Sequence, residues 1–124
     1  MNKLFLLLLL TSSVVAQEFV CSKTFESKVS EGVTVVEFWV EWNKDNQVDF
    51  LHELEDCRVY RVDLSARGKL QSKHNVTATP TLVIFNNGVE YSRFNPGIMM
   101  ESSATRKEIQ SIIDNILLSG ANSE

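Results

Sequence analysis

The sequence predicts an α/β domain, with a central mixed sheet flanked by helices on both faces. Strand-like and helix-like segments alternate along most of the 124 residues, which is typical of a sheet with parallel members. Residues 33–40 are almost entirely β-branched or aromatic, as in a strand that is buried on both faces. Residues 81–85 and 89–94 flank Asn86-Asn87-Gly88, a turn sequence that predicts an antiparallel hairpin at one edge.

The first sixteen residues have the pattern of a secretory signal peptide. Lys3 supplies a positive charge, residues 4–10 are an unbroken apolar run, and small residues precede Gln17. The stretch from residue 4 to 16 is shorter than the roughly 20 residues that a membrane-spanning helix needs. The alternative is an ordinary buried N-terminal helix. We therefore expect residues 17–124 to form one exported domain, periplasmic or secreted, with no membrane span after cleavage.

The first elements of this domain follow from local pattern. Residues 18–21 predict a short strand, and Ser22 is placed to cap a helix over residues 23–30. Gly32 then separates this helix from the buried strand at 33–40.

Three further segments follow before the hairpin. Apolar side chains at helical spacing predict a helix over residues 46–55. Residues 58–63 alternate between polar and apolar and predict a strand, and residues 66–74 predict a polar helix. The predicted order is therefore βαβαβαββα.

The last helix has the clearest start signal. Thr105 and Glu108 are spaced as a capping box, in which each side chain bonds the other residue's backbone N–H. Gly120 is expected to end the helix. The predicted apolar face consists of Ile109, Ile112, Ile113, Ile116 and Leu117.

Composition argues against two classes of function. Twelve basic and 16 acidic residues give a net charge of −4, without the basic stripe of a nucleic-acid-binding protein. Cys21 and Cys57 lie far apart, and His52 and His74 show no metal-ligand spacing. We therefore expect no nucleic acid, no metal and no cofactor.

Two segments resemble thioredoxin. "VVEFWVEWNKDN", residues 35–46, is similar to the family's strand and active-site turn, which reads Phe-Trp-Ala-x-Trp-Cys-Gly-Pro-Cys. "HNVTATPTLVIFNNGVE", residues 74–90, is similar to the segment with the family's cis-proline and the hairpin after it. The resemblance covers nearly all of residues 17–124 and implies a thioredoxin-like fold.

The resemblance places the family's two cysteines at Asn43 and Asn46. Dithiol chemistry needs a thiolate that attacks a disulfide and a second thiol that resolves the intermediate, and a carboxamide can do neither. The resemblance therefore implies a redox-inactive member without catalytic residues. Asn43, or alternatively Asp45, is expected to cap the helix that follows.

Glu37 and Arg61 correspond to the family's buried acid and to the basic residue beside it. Because positions 43 and 46 hold no cysteine that these residues could assist, we interpret them as a structural ion pair, since a buried carboxylate needs a partner. The alternative is that Glu37 acts as a general base on a bound ligand.

The predicted binding surface lies beside Pro80, which takes the place of the family's cis-proline. In the family, the residue before this proline presents its backbone groups to an extended substrate peptide, and Thr79 would do so here. Three large apolar residues in a row occupy a predicted loop after a glycine of the substrate groove, which suits an adaptable contact surface. The alternative is that this loop folds back into the core. The predicted binding residues are Trp42, Thr79, Pro80, Gly97, Ile98, Met99 and Met100.

These observations favour an exported, redox-inactive domain that binds a protein or peptide. Two alternatives stay open: an oxidoreductase-related enzyme that uses Cys57 or Cys21 alone, and a structural subunit of an envelope assembly.

In a thioredoxin-like sheet, Cys21 ends one strand while Cys57 precedes the start of its parallel neighbour. Their separation would exceed the reach of about 7 Å between the Cα atoms of a disulfide. We therefore expect the two thiols to be unpaired.

Overall fold

The computed structural model describes residues 18–19, 22–65 and 68–122, so the predicted signal peptide and Cys21 lie outside the described residues. The strands are β1 Glu18–Phe19, β2 Val33–Trp39, β3 Arg58–Asp63, β4 Thr81–Asn86 and β5 Val89–Phe94. The helices are α1 Ser22–Val29, α2 Gly68–Lys73 and α3 Arg106–Asn122. Two short 3-10 helices, Glu41–Asn46 and Leu51–Glu53, lie between β2 and β3.

The five strands form one mixed sheet in the order β1-β3-β2-β4-β5. β3 pairs in parallel with both β1 and β2, while β2 pairs antiparallel with β4. β4 and β5 form the antiparallel hairpin at one edge. The predicted mixed sheet with an edge hairpin is confirmed.

The core has two layers, one on each face of the sheet. Every residue of β2 is buried, as the run of β-branched and aromatic side chains predicts. Phe25 and Val29 of α1 pack on one face together with Leu70 of α2. Ile109 and Ile113 of α3 pack on the other face. Burial of each such side chain stabilises the fold by about 1.5–3 kcal/mol.

The helix predicted over residues 46–55 is wrong. Val48 and Leu51 are buried, as the apolar spacing predicts, but one 3-10 helix ends at Asn46 and a separate one covers only Leu51–Glu53. The reason is long-range hydrogen bonding at Val48. Its N–H donates to Glu37 Oε2 at 2.8 Å, and its carbonyl accepts from Arg61 Nη2. An α-helix that begins at residue 46 would need this carbonyl as the acceptor for the N–H of residue 52, whereas the N–H of Val48 would lie in its first turn without an intrahelical acceptor.

The predicted start of the last helix is confirmed, whereas its predicted end is wrong. Glu108 N–H donates to Thr105 Oγ1 at 3.1 Å, and Thr105 N–H donates to Glu108 Oε1 at 2.9 Å. α3 continues through Gly120 to Asn122. Leu117, expected on the apolar face, is 43 % exposed and lies outside the buried cluster that contains Ile109, Ile113 and Ile116.

The ion pair between Glu37 and Arg61 lies at the centre of the sheet. The two residues are register partners on β2 and β3, and Arg61 Nε donates to Glu37 Oε1 at 2.7 Å. The Glu37 side chain is fully buried, while that of Arg61 is 11 % exposed. Burial raises the pKa of Glu37, and the hydrogen bonds from Arg61 and from Val48 N–H oppose this rise. The carboxylate therefore has a partner at each oxygen.

Replacement of Arg61 by Met should lower the free energy of unfolding by about 3–5 kcal/mol, because the Glu37 carboxylate loses its only charged partner among the described residues. Chemical denaturation at pH 7 measures the loss. Arg58→Met is the matched control, since Arg58 lies on the same strand, is exposed, and donates to the backbone carbonyl of Glu31. Equal stability of the two variants would contradict a structural role for the pair.

Candidate functional site

Three segments of the chain meet beyond the carboxyl end of β2. The 3-10 helix Glu41–Asn46 follows β2 directly, and Thr79 and Pro80 precede β4, the antiparallel neighbour of β2. The third segment is the loop of residues 97–101, which we call the methionine loop. The peptide bond between Thr79 and Pro80 is cis. The sheet thus brings together most of the residues that the sequence singled out.

The side chains of Asn43 and Asn46 join these segments. Asn43 Nδ2 donates to the carbonyl of Thr79 at 3.1 Å and to the carbonyl of Met100 at 3.2 Å. Asn46 Nδ2 donates to the same Met100 carbonyl at 3.1 Å and to Asn43 Oδ1 at 2.9 Å. We call these four hydrogen bonds the amide network. Each carboxamide NH₂ has two donors, and the network uses all of them.

The predicted capping role of Asn43 or Asp45 is wrong. Val40 is the N-cap of this 3-10 helix, and no side chain caps it. Asn43 lies inside the segment, at φ −115° and ψ 23°, and its backbone N–H donates to the carbonyl of Val40. Because the helix begins before Asn43, this side chain does not stand at the N-cap position, and the carboxamide turns towards Thr79 and Met100 instead.

The methionine loop is fixed at its base and exposed at its tip. Gly97 N–H donates to the carbonyl of Glu101, and Met100 N–H donates to the carbonyl of Gly97, both at 3.0 Å. Met100 has a φ of +59°, a left-handed conformation that costs a residue with a side chain about 1–2 kcal/mol. The two backbone bonds and the amide network offset this cost.

The seven predicted binding residues differ in exposure. Trp42 is 73 % exposed, Ile98 is 98 % exposed and Met99 is 75 % exposed. The alternative that the loop folds back into the core is therefore wrong for Ile98 and Met99. Gly97 is exposed and Met100 is half-buried.

Thr79 and Pro80, by contrast, are buried, with Thr79 only 6 % exposed. The carbonyl of Thr79 already accepts one hydrogen bond from Asn43, and the expectation that Thr79 presents its backbone groups to a ligand stays a prediction. The carboxamide of Asn43 has two N–H donors, and one of them reaches the Thr79 carbonyl. The sequence holds no signal for the contact with Met100, which lies 57 residues from Asn43.

Cys57 lies at the opposite end of the sheet. It immediately precedes β3, whereas Asn43 follows the far end of β2, the parallel neighbour of β3. A strand of this length separates them by on the order of 20 Å. Among the described residues Cys57 is a free, half-buried cysteine, and burial together with the charge of Asp56 raises its pKa to about 11. Since Cys21 lies outside the described residues, the absence of a disulfide stays a prediction.

Comparison with known protein families agrees with the observed fold. The family model for thioredoxin matches residues 16–115, which is most of the chain. The chain belongs to the thioredoxin family. Family members are usually redox enzymes whose reaction needs two thiols.

Two curated thioredoxins are similar in sequence. The thioredoxin of Mycoplasma genitalium is 31 % identical over 65 residues, which cover 48 % of this chain and 64 % of that protein, slightly less than two thirds of its length. The thioredoxin of Chlamydia pneumoniae is 23 % identical over 82 residues, which cover 61 % of this chain and 80 % of that protein.

Solved structures show the same fold. A mutant thioredoxin of Halobacterium salinarum superposes with a TM-score of 0.64 at 21 % identity, covering 80 % of this chain and 88 % of the other. A designed protein superposes with a TM-score of 0.66 at 17 % identity, covering 83 % of this chain and 99 % of its own. At these identities the likeness establishes the thioredoxin fold alone.

Among the described residues there is neither a candidate metal site nor a candidate membrane-spanning helix. Within residues 18–19, 22–65 and 68–122, no group of three His, Cys, Asp or Glu side chains could hold a metal ion. Over the same part of the chain, no helix is both long and apolar enough to cross a membrane.

The raised pKa of Cys57 predicts slow alkylation. In a Cys21→Ser variant at pH 8, iodoacetamide should modify Cys57 about 100-fold more slowly than a thiol of ordinary pKa, because the thiolate is the reacting form. The rate should rise about tenfold per pH unit up to about pH 10, as thiolate forms. Mass spectrometry of timed samples measures the rate, with the urea-unfolded chain as control. Equal rates for folded and unfolded chains would contradict this assignment.

Proposed function

We propose that this protein is an exported, redox-inactive member of the thioredoxin family that binds a protein or peptide partner. The partner would contact the surface around the family's active-site position, formed by Trp42, the methionine loop and the adjoining Thr79-Pro80 segment. The observation that carries this proposal is the exposure of Trp42, Ile98 and Met99 at that position.

Redox inactivity is supported by the residues that replace the family's cysteines. Asn43 and Asn46 carry no sulfur, and their carboxamides are engaged in the amide network. A single-cysteine mechanism at Cys57 has little support. The thiol lies at the other end of the sheet, and with a pKa of about 11 it is almost entirely protonated at neutral pH.

Export is supported by the sequence of residues 1–16, with its basic start, apolar run and small residues before Gln17. Membership of the thioredoxin family does not by itself imply export. Export is therefore an independent part of the proposal.

Partner binding is supported by the kinds of side chain exposed. Trp is enriched among the residues that contribute most to protein interfaces, because its ring offers a large contact area at a low entropic cost. Met adapts its shape to a partner through three rotatable side-chain bonds. Trp42 and Met99 are each about three-quarters exposed, so a partner with apolar side chains would remove a large apolar area from water.

The purified protein should not catalyse the reduction of insulin by dithiothreitol, because positions 43 and 46 carry no thiols. The double variant Asn43→Cys and Asn46→Cys should gain measurable turnover, since Glu37 and Pro80 already occupy the family's positions. Turbidity of precipitating insulin measures the activity, with Asn43→Ser and Asn46→Ser as the matched control. Turnover by the unaltered protein would contradict redox inactivity.

Replacement of Met99 by Glu should weaken partner capture at least tenfold while changing the free energy of unfolding by no more than about 0.5 kcal/mol, because an exposed loop residue carries little stability. The measurement compares proteins captured by the immobilised chain from envelope extract of the source organism. Val89→Glu is the matched control, since Val89 is 69 % exposed but lies at the start of β5.

Two results would count against the proposed surface. Equal capture by Met99→Glu and the unaltered protein would place the partner elsewhere. A large loss of stability in Met99→Glu would assign Met99 a structural role instead.

A further inference from the structure

The edge beside the cis-proline offers a ligand little exposed backbone. Pro80 has no N–H, and the carbonyl of Thr79 already accepts a hydrogen bond from Asn43 Nδ2 at 3.1 Å. Thr79 is 6 % exposed and Pro80 is buried. An extended peptide that added a strand here would have to share this little-exposed carbonyl with the Asn43 carboxamide or displace it, since a carbonyl oxygen has two lone pairs.

Such a displacement would have a cost at Asn43 itself. The Asn43 side chain is half-buried, and its two donors bond to the carbonyls of Thr79 and Met100. Release of the Thr79 carbonyl leaves a half-buried amide donor without its acceptor, which offsets what the new bond contributes.

The same network fixes the loop that carries the exposed apolar residues. The Met100 carbonyl accepts from both Asn43 and Asn46, and Met100 N–H closes the loop onto the carbonyl of Gly97. Ile98 and Met99 lie between these anchor points and face solvent. A loop already held in one conformation loses less entropy when a partner binds.

We propose that Asn43 and Asn46 are positioning residues of the binding surface. Through the amide network they hold the methionine loop in place and close the Thr79 edge. The partner therefore binds across the side chains of Trp42, Ile98 and Met99, and it does not add a strand at Thr79. This inference rests on the proposed function and specifies its binding mode.

The choice of asparagine fits this role in chemical terms. A carboxamide has two N–H donors and one acceptor, whereas a thiol or hydroxyl has a single hydrogen to donate. Only a side chain with two donors can bond both the Thr79 and Met100 carbonyls from position 43. The acceptor oxygen of Asn43 then bonds Asn46, which links the two residues into one unit.

Amide hydrogen exchange of the loop, followed by NMR, tests the positioning role. In Asn43→Ala and Asn46→Ala, the protection of the Gly97 and Met100 N–H groups should fall about tenfold or more, because the Met100 carbonyl loses a donor that holds it. Asn115→Ala is the matched control, since Asn115 is exposed on α3. Protection within twofold of the unaltered protein in the first two variants would overturn the inference.

A size-matched variant separates hydrogen bonding from filling of space. Asn43→Asp keeps the side-chain shape but turns an oxygen towards both carbonyls, so protection should fall at neutral pH. Below about pH 4 the protonated carboxyl can donate one hydrogen bond, and part of the protection should return. Protection that stays unchanged at neutral pH would overturn the inference.

The binding mode is tested with a phage-displayed library of random 12-residue peptides, selected on the unaltered protein and counter-selected on Met99→Glu. Selected peptides should lose at least tenfold in affinity when their apolar side chains are replaced by Ser. Ester replacement of single backbone amides, which removes the N–H donor, should change affinity less than threefold.

The outcomes distinguish the two proposals. Peptides that weaken on ester replacement and bind more tightly to Asn43→Ala would show strand addition at Thr79, which overturns the inference and leaves the proposed function standing. A selection that enriches no sequence over Met99→Glu would overturn the proposed function, and the inference with it.

Discussion

The buried carboxylate of Glu37 is the constraint on which the rest of the site depends. It lies in the middle of a fully buried strand, where an isolated charge would be costly, so both oxygens must find donors. Arg61 supplies one donor from β3, and Val48 N–H supplies the other from the segment between β2 and β3. Arg61 also bonds the Val48 carbonyl. Both backbone groups of Val48 are therefore bonded to the ion pair, and its carbonyl bonds Arg61 rather than a following turn of helix.

The segment that precedes Val48 carries the amide network. The six residues after Val40 form a 3-10 helix with a kink at Asn43. That kink turns the carboxamide of Asn43 towards Thr79 and Met100, and Asn46 completes the network. The thioredoxin fold thus holds the buried ion pair and the amide network together, and none of these contacts involves sulfur.

The sequence predicts those parts of the fold that depend on local pattern. The all-apolar β2, the Asn86-Asn87-Gly88 hairpin and the capping box of Thr105 and Glu108 all follow from neighbouring residues, and the structure confirms them. Apart from the helix end expected at Gly120, a local signal that the helix runs past, the incorrect predictions concern contacts between distant segments. Residues 46–55 have helical spacing, but bonds from residues 37 and 61 override it. The carbonyl of Met100, an acceptor with no side-chain signature, could not be identified as the partner of Asn43 and Asn46.

A double-mutant cycle between Asn43 and Asn46 tests most directly whether the two residues form one structural unit. The free energy of unfolding is measured for Asn43→Ala, Asn46→Ala and the double variant. Because the side chains bond each other and share the Met100 carbonyl, the double variant should lose about 1 kcal/mol less than the sum of the single losses. Losses that add to within about 0.3 kcal/mol would show two independent side chains and contradict the amide network.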